Sequence, residues 1–283
     1  MMPASSKLRY LLWAGAHLPF ADTRCPACSQ ARTERVRRKY LVTALYRCPS
    51  CDVMFRVPKP SAEREEEFYQ NEYEQGFTTD CPNPEELAKL KESCFAGTEK
   101  DYSVYIAVLR AIGLEPGGSI FDFGCSWGYG SWQLARAGYR VRSWEVSRPR
   151  ARYAGEKLEC QLCPPEELPE KQDCFFSAHV IEHLTNPRTM WEMARKTVWP
   201  GGKMVTFLPN GNPALDSRNP NYHQLWGQVH PLLLSPSALT RMGELHGFTV
   251  RSHTSPYNLR EVGEESEGDL AGDELLIVGT LRG

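Results

Sequence analysis

The sequence predicts an α/β fold, a doubly wound and mainly parallel seven-stranded sheet with a small cysteine-bearing module ahead of it. Three observations predict it. From about residue 100, short apolar runs alternate with amphipathic stretches at helical spacing. A glycine-rich loop, Gly124-Cys-Ser-Trp-Gly128-Tyr-Gly130, directly follows the first of those runs. Two Cys-x-x-Cys pairs lie upstream, outside the alternation.

Tyr102, Tyr105, Ile106, Leu109 and Ile112 recur at helical spacing and stop at Gly113, which predicts a helix. Pro116-Gly117-Gly118 turns the chain into a first strand over 119–123, and the glycine loop leads to a helix ending at Gly138. Residues 141–146 and 150–158 read as the next strand and helix, and 160–163 and 174–178 as further short strands. An amphipathic helix over 187–198 is closed by Pro200-Gly201-Gly202, and 203–208 is again a strand. A helix over 236–246 and strands over 248–253 and 275–280 complete the set. The last two strands are joined by the acidic loop 261–273 without a helix, so one edge strand is expected to run antiparallel. Ligands in such sheets sit beyond the carboxyl ends of the strands, which points to the loops after Phe123, Val146, Cys163, Ala178 and Leu208.

With 283 residues the chain has room for one enzyme-sized domain and an extra module. Its 41% hydrophobic and 24% charged content is close to globular averages and excludes wholesale disorder. No run of eighteen apolar residues occurs, so no membrane-spanning helix is expected. The apolar segment 10–20 is interrupted by His17 and Pro19 and is not read as a cleaved signal. A formal net charge of −2 hides an asymmetry: residues 1–60 carry +8 and residues 61–100 carry −7. The two are read as neighbouring surfaces that satisfy each other, with an interaction surface as the alternative.

Cys25-Pro-Ala-Cys28 and Cys48-Pro-Ser-Cys51 are separated by nineteen residues. Two such knuckles suit a tetrahedral zinc ion, and four thiolates fill its coordination sphere, so the expected role is structural. Two redox pairs or two disulfides are the alternative, but a redox pair opens a helix, whereas residues 32–47 read as a hairpin. The basic stretch 32–40 is read as the solvated face of that hairpin, with phosphate gripping and stacking on Tyr40 and Tyr46 as the alternative. Cys160 and Cys163 stand three apart on a strand and face opposite sides, which argues against joint ligation. Cys81, Cys94, Cys125 and Cys174 are scattered singly, and the whole set points to a reducing, cytoplasmic setting.

The glycine loop also speaks to the cofactor. A dinucleotide fingerprint would place glycines at 124, 126 and 129, where this chain has Gly, Ser and Tyr. Asp122, beside the helix N-terminus, would repel a pyrophosphate but suits a phosphate-free cationic ligand. S-adenosylmethionine, with its sulfonium and ammonium, is such a ligand. Glu145 ends the second strand twenty-one residues after Gly124, where an acid can accept from both ribose hydroxyls.

Asp122-Phe-Gly-Cys-Ser-Trp-Gly128 resembles motif I of class I S-adenosylmethionine-dependent methyltransferases. Val180-Ile-Glu182-His183-Leu-Thr-Asn-Pro187 and Trp199-Pro-Gly-Gly202 are similar to that family's segment after strand four and its turn before strand five. Pro209-Asn210, Trp226, His230 and Gly247-Phe248 resemble later landmarks of a bacterial branch that often carries an N-terminal zinc ribbon. Phe68-Tyr69-Gln-Asn-Glu-Tyr73 looks like its tyrosine-bearing leading segment, so the resemblance covers residues 25–253. It implies a Rossmann-like methyltransferase fold and a cofactor site made of Asp122, Gly124, Cys125, Ser126, Gly128, Glu145, Glu166, Ala178 and His179. Two positions depart from the pattern. Ser126 replaces the usual middle glycine, and Pro164 stands where an adenine-contacting Asp is often found, leaving that contact to Pro165 or Glu166.

Methyl transfer to a hydroxyl needs the acceptor in line with the sulfonium and a base for its proton. His230 and His183 are the catalytic candidates among His179, His183, His223 and His230. His230 lies in the insert where acceptors are expected, whereas the Glu182-His183 pair favours a structural or cofactor-side role for His183. Tyr69 and Tyr73 are read equally as a lid over the cofactor or as core aromatics. The expected organisation is a zinc-ribbon module over 1–60, an acidic helical connector or lid over 61–100, and a methyltransferase domain over 101–283. The expected activity is S-adenosylmethionine-dependent methylation of a small molecule or saccharide at oxygen. An RNA methyltransferase that uses its basic zinc module to bind nucleic acid is the alternative.

Overall fold

The computed structural model describes residues 4–61, 64, 70, 80–164, 167, 169–264 and 270–283. Helix α1 (Ala4–His17) precedes three short antiparallel strands, β1 (Glu34–Lys39), β2 (Thr43–Arg47) and β3 (Met54–Val57). The hairpin expected between the cysteine knuckles is therefore β1–β2. Tyr10 of α1 meets Thr43 Oγ1 through its hydroxyl at 2.9 Å, and Ala14 is fully buried, so α1 lies on the hairpin. Helices α2 (Pro84–Glu92) and α3 (Ser103–Ala111) follow. Asn83 caps α2 in a reciprocal capping box with Glu86, which explains where this acidic stretch becomes helical.

The main sheet alternates as expected: β4 (Ser119–Phe123), α4 (Tyr129–Arg136), β5 (Arg140–Trp144), α5 (Arg148–Leu158), β6 (Gln172–Ala178), α6 (Arg188–Thr197) and β7 (Val198–Pro209). After the insert come β8 (Leu232–Leu233), α7 (Pro236–Leu245), β9 (Phe248–Thr254), α8 (Leu259–Gly263) and β10 (Glu274–Leu281). The main-sheet order is β5-β4-β6-β7-β10-β9, with parallel pairing from β5 through β7. Successive residues divide the core between the two faces. Phe175 packs with Phe121, Phe123 and Trp191 on one face, and Phe176 with Ile120, Val205 and Phe207 on the other.

Three details differ from the sequence reading. The main sheet has six strands, not seven, among the described residues. The segment 160–163 makes a single parallel bridge, Leu162 to Ser143, because Cys160 N is still tied to Ala154 O and Pro164 offers no N–H beyond. The antiparallel strand is not at the edge: β10 lies between β7 and β9 and runs against both. Leu275 to Val278 are all buried, the pattern of a strand covered on both faces, while β9 exposes Thr249 to solvent. Finally, Pro200-Gly201-Gly202 interrupts nothing. It lies within β7 as an irregularity, where pairing moves from Gln172–Val198 to Cys174–Lys203.

The second sheet has the order β1-β2-β3-β8, so a strand from beyond β7 completes the cysteine module. Met54 pairs with Leu233 and Phe55 with Leu232, and Arg56 N donates to Pro231 O at 2.7 Å. Phe55, 1% exposed, shares one core with Leu232 and Leu234 and with the main-sheet face around Phe175. Burying such a ring contributes about 1.5–3 kcal/mol.

Candidate active site

The turn after β4 is shaped by its glycines. Gly124 has φ +83, and a Cβ there would stand 2.5 Å from Val180 Cγ2, so the loop touches the segment after β6 directly. Gly128 has φ +90 and faces Cys160 and Ala154 just as closely. Ser126, at φ +53, occupies the left-handed region that the usual glycine would enter freely. The loop is held by Trp144 O, which accepts from Gly124 N and Cys125 N at 2.8 and 3.0 Å.

Glu145 accepts from Ser126 N and Ser147 N, both at 2.8 Å, and so joins the glycine loop to the end of β5. Burial raises its carboxyl, against those backbone bonds. Asp122 is 2% exposed, and its Oδ2 accepts from Ser131 Oγ of α4 at 2.5 Å. Burial pushes this carboxyl up to about 7, Ser131 opposes the shift, and the nearby Glu145 charge adds to it. Cys125 is buried with its thiol pushed well up, so it stays neutral. Asp122, Gly124, Cys125, Ser126, Gly128 and Glu145 thus converge on one turn, while Ala178 and His179 end β6 beside it. Glu166, like Pro165, Phe68, Tyr69 and Tyr73, lies outside the described residues.

Two contributors to this end of the sheet escaped the sequence reading. Arg150 of α5 donates to Ser126 Oγ at 3.1 Å and is buried. Gln70 donates to Val146 O at 2.8 Å and accepts from Arg148 N, which ties this one residue to the loop after β5.

A polar cluster adjoins this turn. Tyr105, Tyr257 and His179 all reach Glu274, whose Oε2 lies 3.3 Å from Tyr105 Oη and 3.2 Å from His179 Nε2. His179 Nδ1 lies 3.5 Å from Glu182 Oε1. Burial works against charge on His179, but Glu182 and Glu274 outweigh it and lift the imidazole to about 10. Glu182 sits in the single turn Ile181–His183. Burial opposes its charge as well, yet His179, with help from the other rings, holds it at about 2. His183 and His230 meet edge to face with centroids 4.5 Å apart, although 47 positions separate them in the chain. Burial lowers both, His183 to about 4. His223 stands apart, exposed, with its ring bonded to Pro220 O.

The four cysteines of the knuckles lie with every sulfur within 4.8 Å of the others, and Cys25–Cys51 and Cys28–Cys48 are 3.4 and 3.5 Å apart. Tetrahedral ligation at a Zn–S distance of about 2.3 Å places sulfurs about 3.8 Å apart, so the four side chains fit zinc with shifts of no more than about 1 Å. Cys25 O accepts from Ser29 N and Cys48 O from Asp52 N, giving the knuckles the same backbone turn.

Several of the module's charged residues reach the insert, while Arg32, Glu34, Arg35 and Arg38 remain exposed. Arg37 pairs with Asp216, and Lys39 Nζ donates to His223 O and Trp226 O, each at 2.7 Å. Arg56 donates to Gln228 O, and Arg241 to Ser50 O. Asp52, in the second knuckle, accepts from Arg47, Ser235 and Ser237, and Ser235 is the N-cap of α7. Residues 216–241, with His230 among them, are therefore clamped by the module.

Residues 121–206 match the family model described as a methyltransferase domain. A ubiquinone biosynthesis O-methyltransferase of Aeromonas salmonicida is 29% identical over 153 residues, covering 48% of this chain and 64% of that protein. The match thus spans less than two thirds of that relative's length. Magnesium protoporphyrin IX methyltransferase from Synechocystis, solved with bound SAH, shares the fold at TM-score 0.51 and 13% identity, covering 78% of this chain and all of the other. A S-adenosylmethionine-dependent methyltransferase from Clostridium acetobutylicum matches at TM-score 0.51 and 7% identity, over 70% of this chain and 99% of the other.

Proposed function

We propose that the chain is a class I S-adenosylmethionine-dependent methyltransferase and that it methylates an oxygen of a small molecule or saccharide. The observation that carries the reading is the contact of Gly124 with Val180, which brings the cofactor turn against the segment holding Glu182 and His183, with His230 beside them. Asp122, Gly124, Cys125, Ser126, Gly128 and Glu145 form the cofactor cradle in this proposal, with Ala178, His179 and Glu166 completing it. The Met-moiety ammonium of the cofactor would meet Asp122, and the ribose hydroxyls Glu145.

The acceptor approaches from the insert. Transfer proceeds by in-line displacement: the C–O bond forms as the C–S bond breaks, and the acceptor's proton leaves toward the His230–His183 pair. His230 is the proposed base, because the module clamps the loop that bears it. Zinc on Cys25, Cys28, Cys48 and Cys51 is structural in this reading: it closes the knuckles that carry Asp52 and the hairpin that carries Lys39.

The division into a ribbon over 1–60, a connector or lid over 61–100 and a methyltransferase domain over 101–283 belongs to the same proposal. So does a cytoplasmic setting, in keeping with a zinc-type cysteine cluster. No described helix is long and apolar enough to cross a membrane. Internal use of Arg37, Lys39 and Arg56 favours a small acceptor over nucleic acid. Calorimetry with S-adenosylmethionine tests the enzyme reading, and absence of binding would end it. A screen of hydroxylated metabolites for release of S-adenosylhomocysteine then tests the acceptor class. Salt-sensitive retention of the full chain on RNA would instead favour a nucleic-acid acceptor.

A further inference from the structure

Glu182 is buried in an unusual state. It is 3% exposed, yet neither carboxylate oxygen accepts a hydrogen bond. The imidazole of His179 is 3.5 Å away and is shared with Glu274. A carboxylate withdrawn from water in this way needs cationic compensation, and His179 divides its charge between Glu182 and Glu274. Two further imidazoles face it. His183 is 7% exposed and its Nδ1 has no partner, and the ring of His230 stands perpendicular to it at 4.5 Å. A neutral imidazole keeps a lone pair on one ring nitrogen, and the buried, unpartnered Nδ1 of His183 is placed to offer one to a ligand. One ligand atom from each of Glu182, His183 and His230 lies within 4.8 Å of the others.

We propose that Glu182, His183 and His230 form a binding site for a divalent cation at the acceptor side of the cleft. Bonds of about 2.1 Å would draw the three ligand atoms together by one to two ångströms, within the reach of side-chain rotation. Two nitrogens and a carboxylate suit manganese, iron or zinc and leave positions open for a ligand. The cation therefore selects an acceptor class: a hydroxyl compound with a second oxygen on the adjacent carbon, able to chelate through both.

This inference rests on the methyl-transfer reading and deepens it by changing what the histidines supply. Their lone pairs hold a cation instead of receiving a proton. The acceptor O–H loses its proton to water, and the oxygen keeps its electron pair on the cation. The C–O bond then forms as the C–S bond breaks, and the sulfur leaves as a neutral thioether.

The test uses the full chain with the metal of its cysteine knuckles in place. Manganese is the probe, because it prefers nitrogen and oxygen ligands to thiolates. Electron paramagnetic resonance of free Mn2+ during titration should show one ion bound per chain. Glu182→Gln and His230→Gln should each weaken binding roughly tenfold or more, with affinity for S-adenosylmethionine retained. His230 lies in a loop and is only partly buried, so His230→Gln remains informative if the Glu182 variant fails to fold. No binding at millimolar Mn2+, or unchanged binding in the folded variants, overturns the site. Cofactor binding without manganese binding overturns this inference alone, whereas a chain that does not bind cofactor overturns the methyl-transfer reading itself.

Discussion

Replacing Asp122 by Asn should stabilise the cofactor-free protein and do so only above acidic pH. The buried carboxyl stands at about 7 in the folded chain, against 3.8 when exposed. Between those values the folded state retains a proton that the unfolded state releases. Stability contributed by this group is therefore fully present below about pH 4, is lost as pH rises toward 7, and levels off above. Three units at about 1.4 kcal/mol each set a ceiling of about 4 kcal/mol. Asn has nearly the same shape, can still accept from Ser131 and never ionises. The variant should match the wild type near pH 4 and exceed it by up to about 4 kcal/mol at pH 8, roughly 10 °C in Tm for a chain of this size. Thermal unfolding across that pH range reads the difference directly. A difference that does not vary with pH, or an Asn variant that is weaker at pH 8, would refute the reasoning. Added S-adenosylmethionine should raise the Tm of the wild type more than that of the variant, because its ammonium compensates a charge that Asn lacks.

Three further outcomes follow from the same structure. Gly124→Ala combines a left-handed φ with a Cβ set against Val180, so cofactor affinity should fall at least roughly tenfold by calorimetry. Adding Val180→Ala should restore part of it, leaving a φ penalty of about 1–2 kcal/mol. Lys39→Met leaves His223 O and Trp226 O without their donor and should destabilise the chain by about 2 kcal/mol in urea titration, with Lys39→Arg closer to wild type. Stripping metal from the cysteine knuckles should raise amide exchange over 225–240 while β4, β6 and β10 stay protected; uniform exchange would separate the knuckles from the insert.

Local signals in the chain foretold the parts of the fold that local rules control. The turn Gly124 to Gly128, the acid at Glu145 and the two knuckles were readable because each is a short motif with fixed backbone demands. The helix spacing of Tyr102 to Ile112 was readable for the same reason. What escaped was set by distant partners. Leu232-Leu233 is too short to show strand periodicity, and only the free edge of β3 makes it one. The placement of β10 between β7 and β9 depends on its burial on both faces, which an apolar run alone does not order within a sheet. His183 and His230 were both singled out, but nothing in their separate contexts says that the rings touch. Glu274, between the acidic loop 261–273 and the expected strand, carries no local signal, yet it gathers Tyr105, His179 and Tyr257. The basic hairpin was read as a solvated face, and much of it is exposed, but the partners of Arg37 and Lys39 lie near residue 220, beyond the reach of local pattern.

The strand pair β3–β8 also has a consequence for biosynthesis. Met54, Phe55 and Val57 are buried in the finished protein, but the strand that covers their edge is made about 175 residues later. At 5–20 residues per second the ribosome needs roughly 10–35 s to supply it. During that interval the newborn module presents an apolar, unpaired strand edge, the kind of surface that recruits chaperones or other chains. Early occupation of the cysteine knuckles would order the hairpin but leave that edge open. Slow translation between residues 57 and 233 should therefore lower the yield of folded protein more than slow translation beyond residue 233.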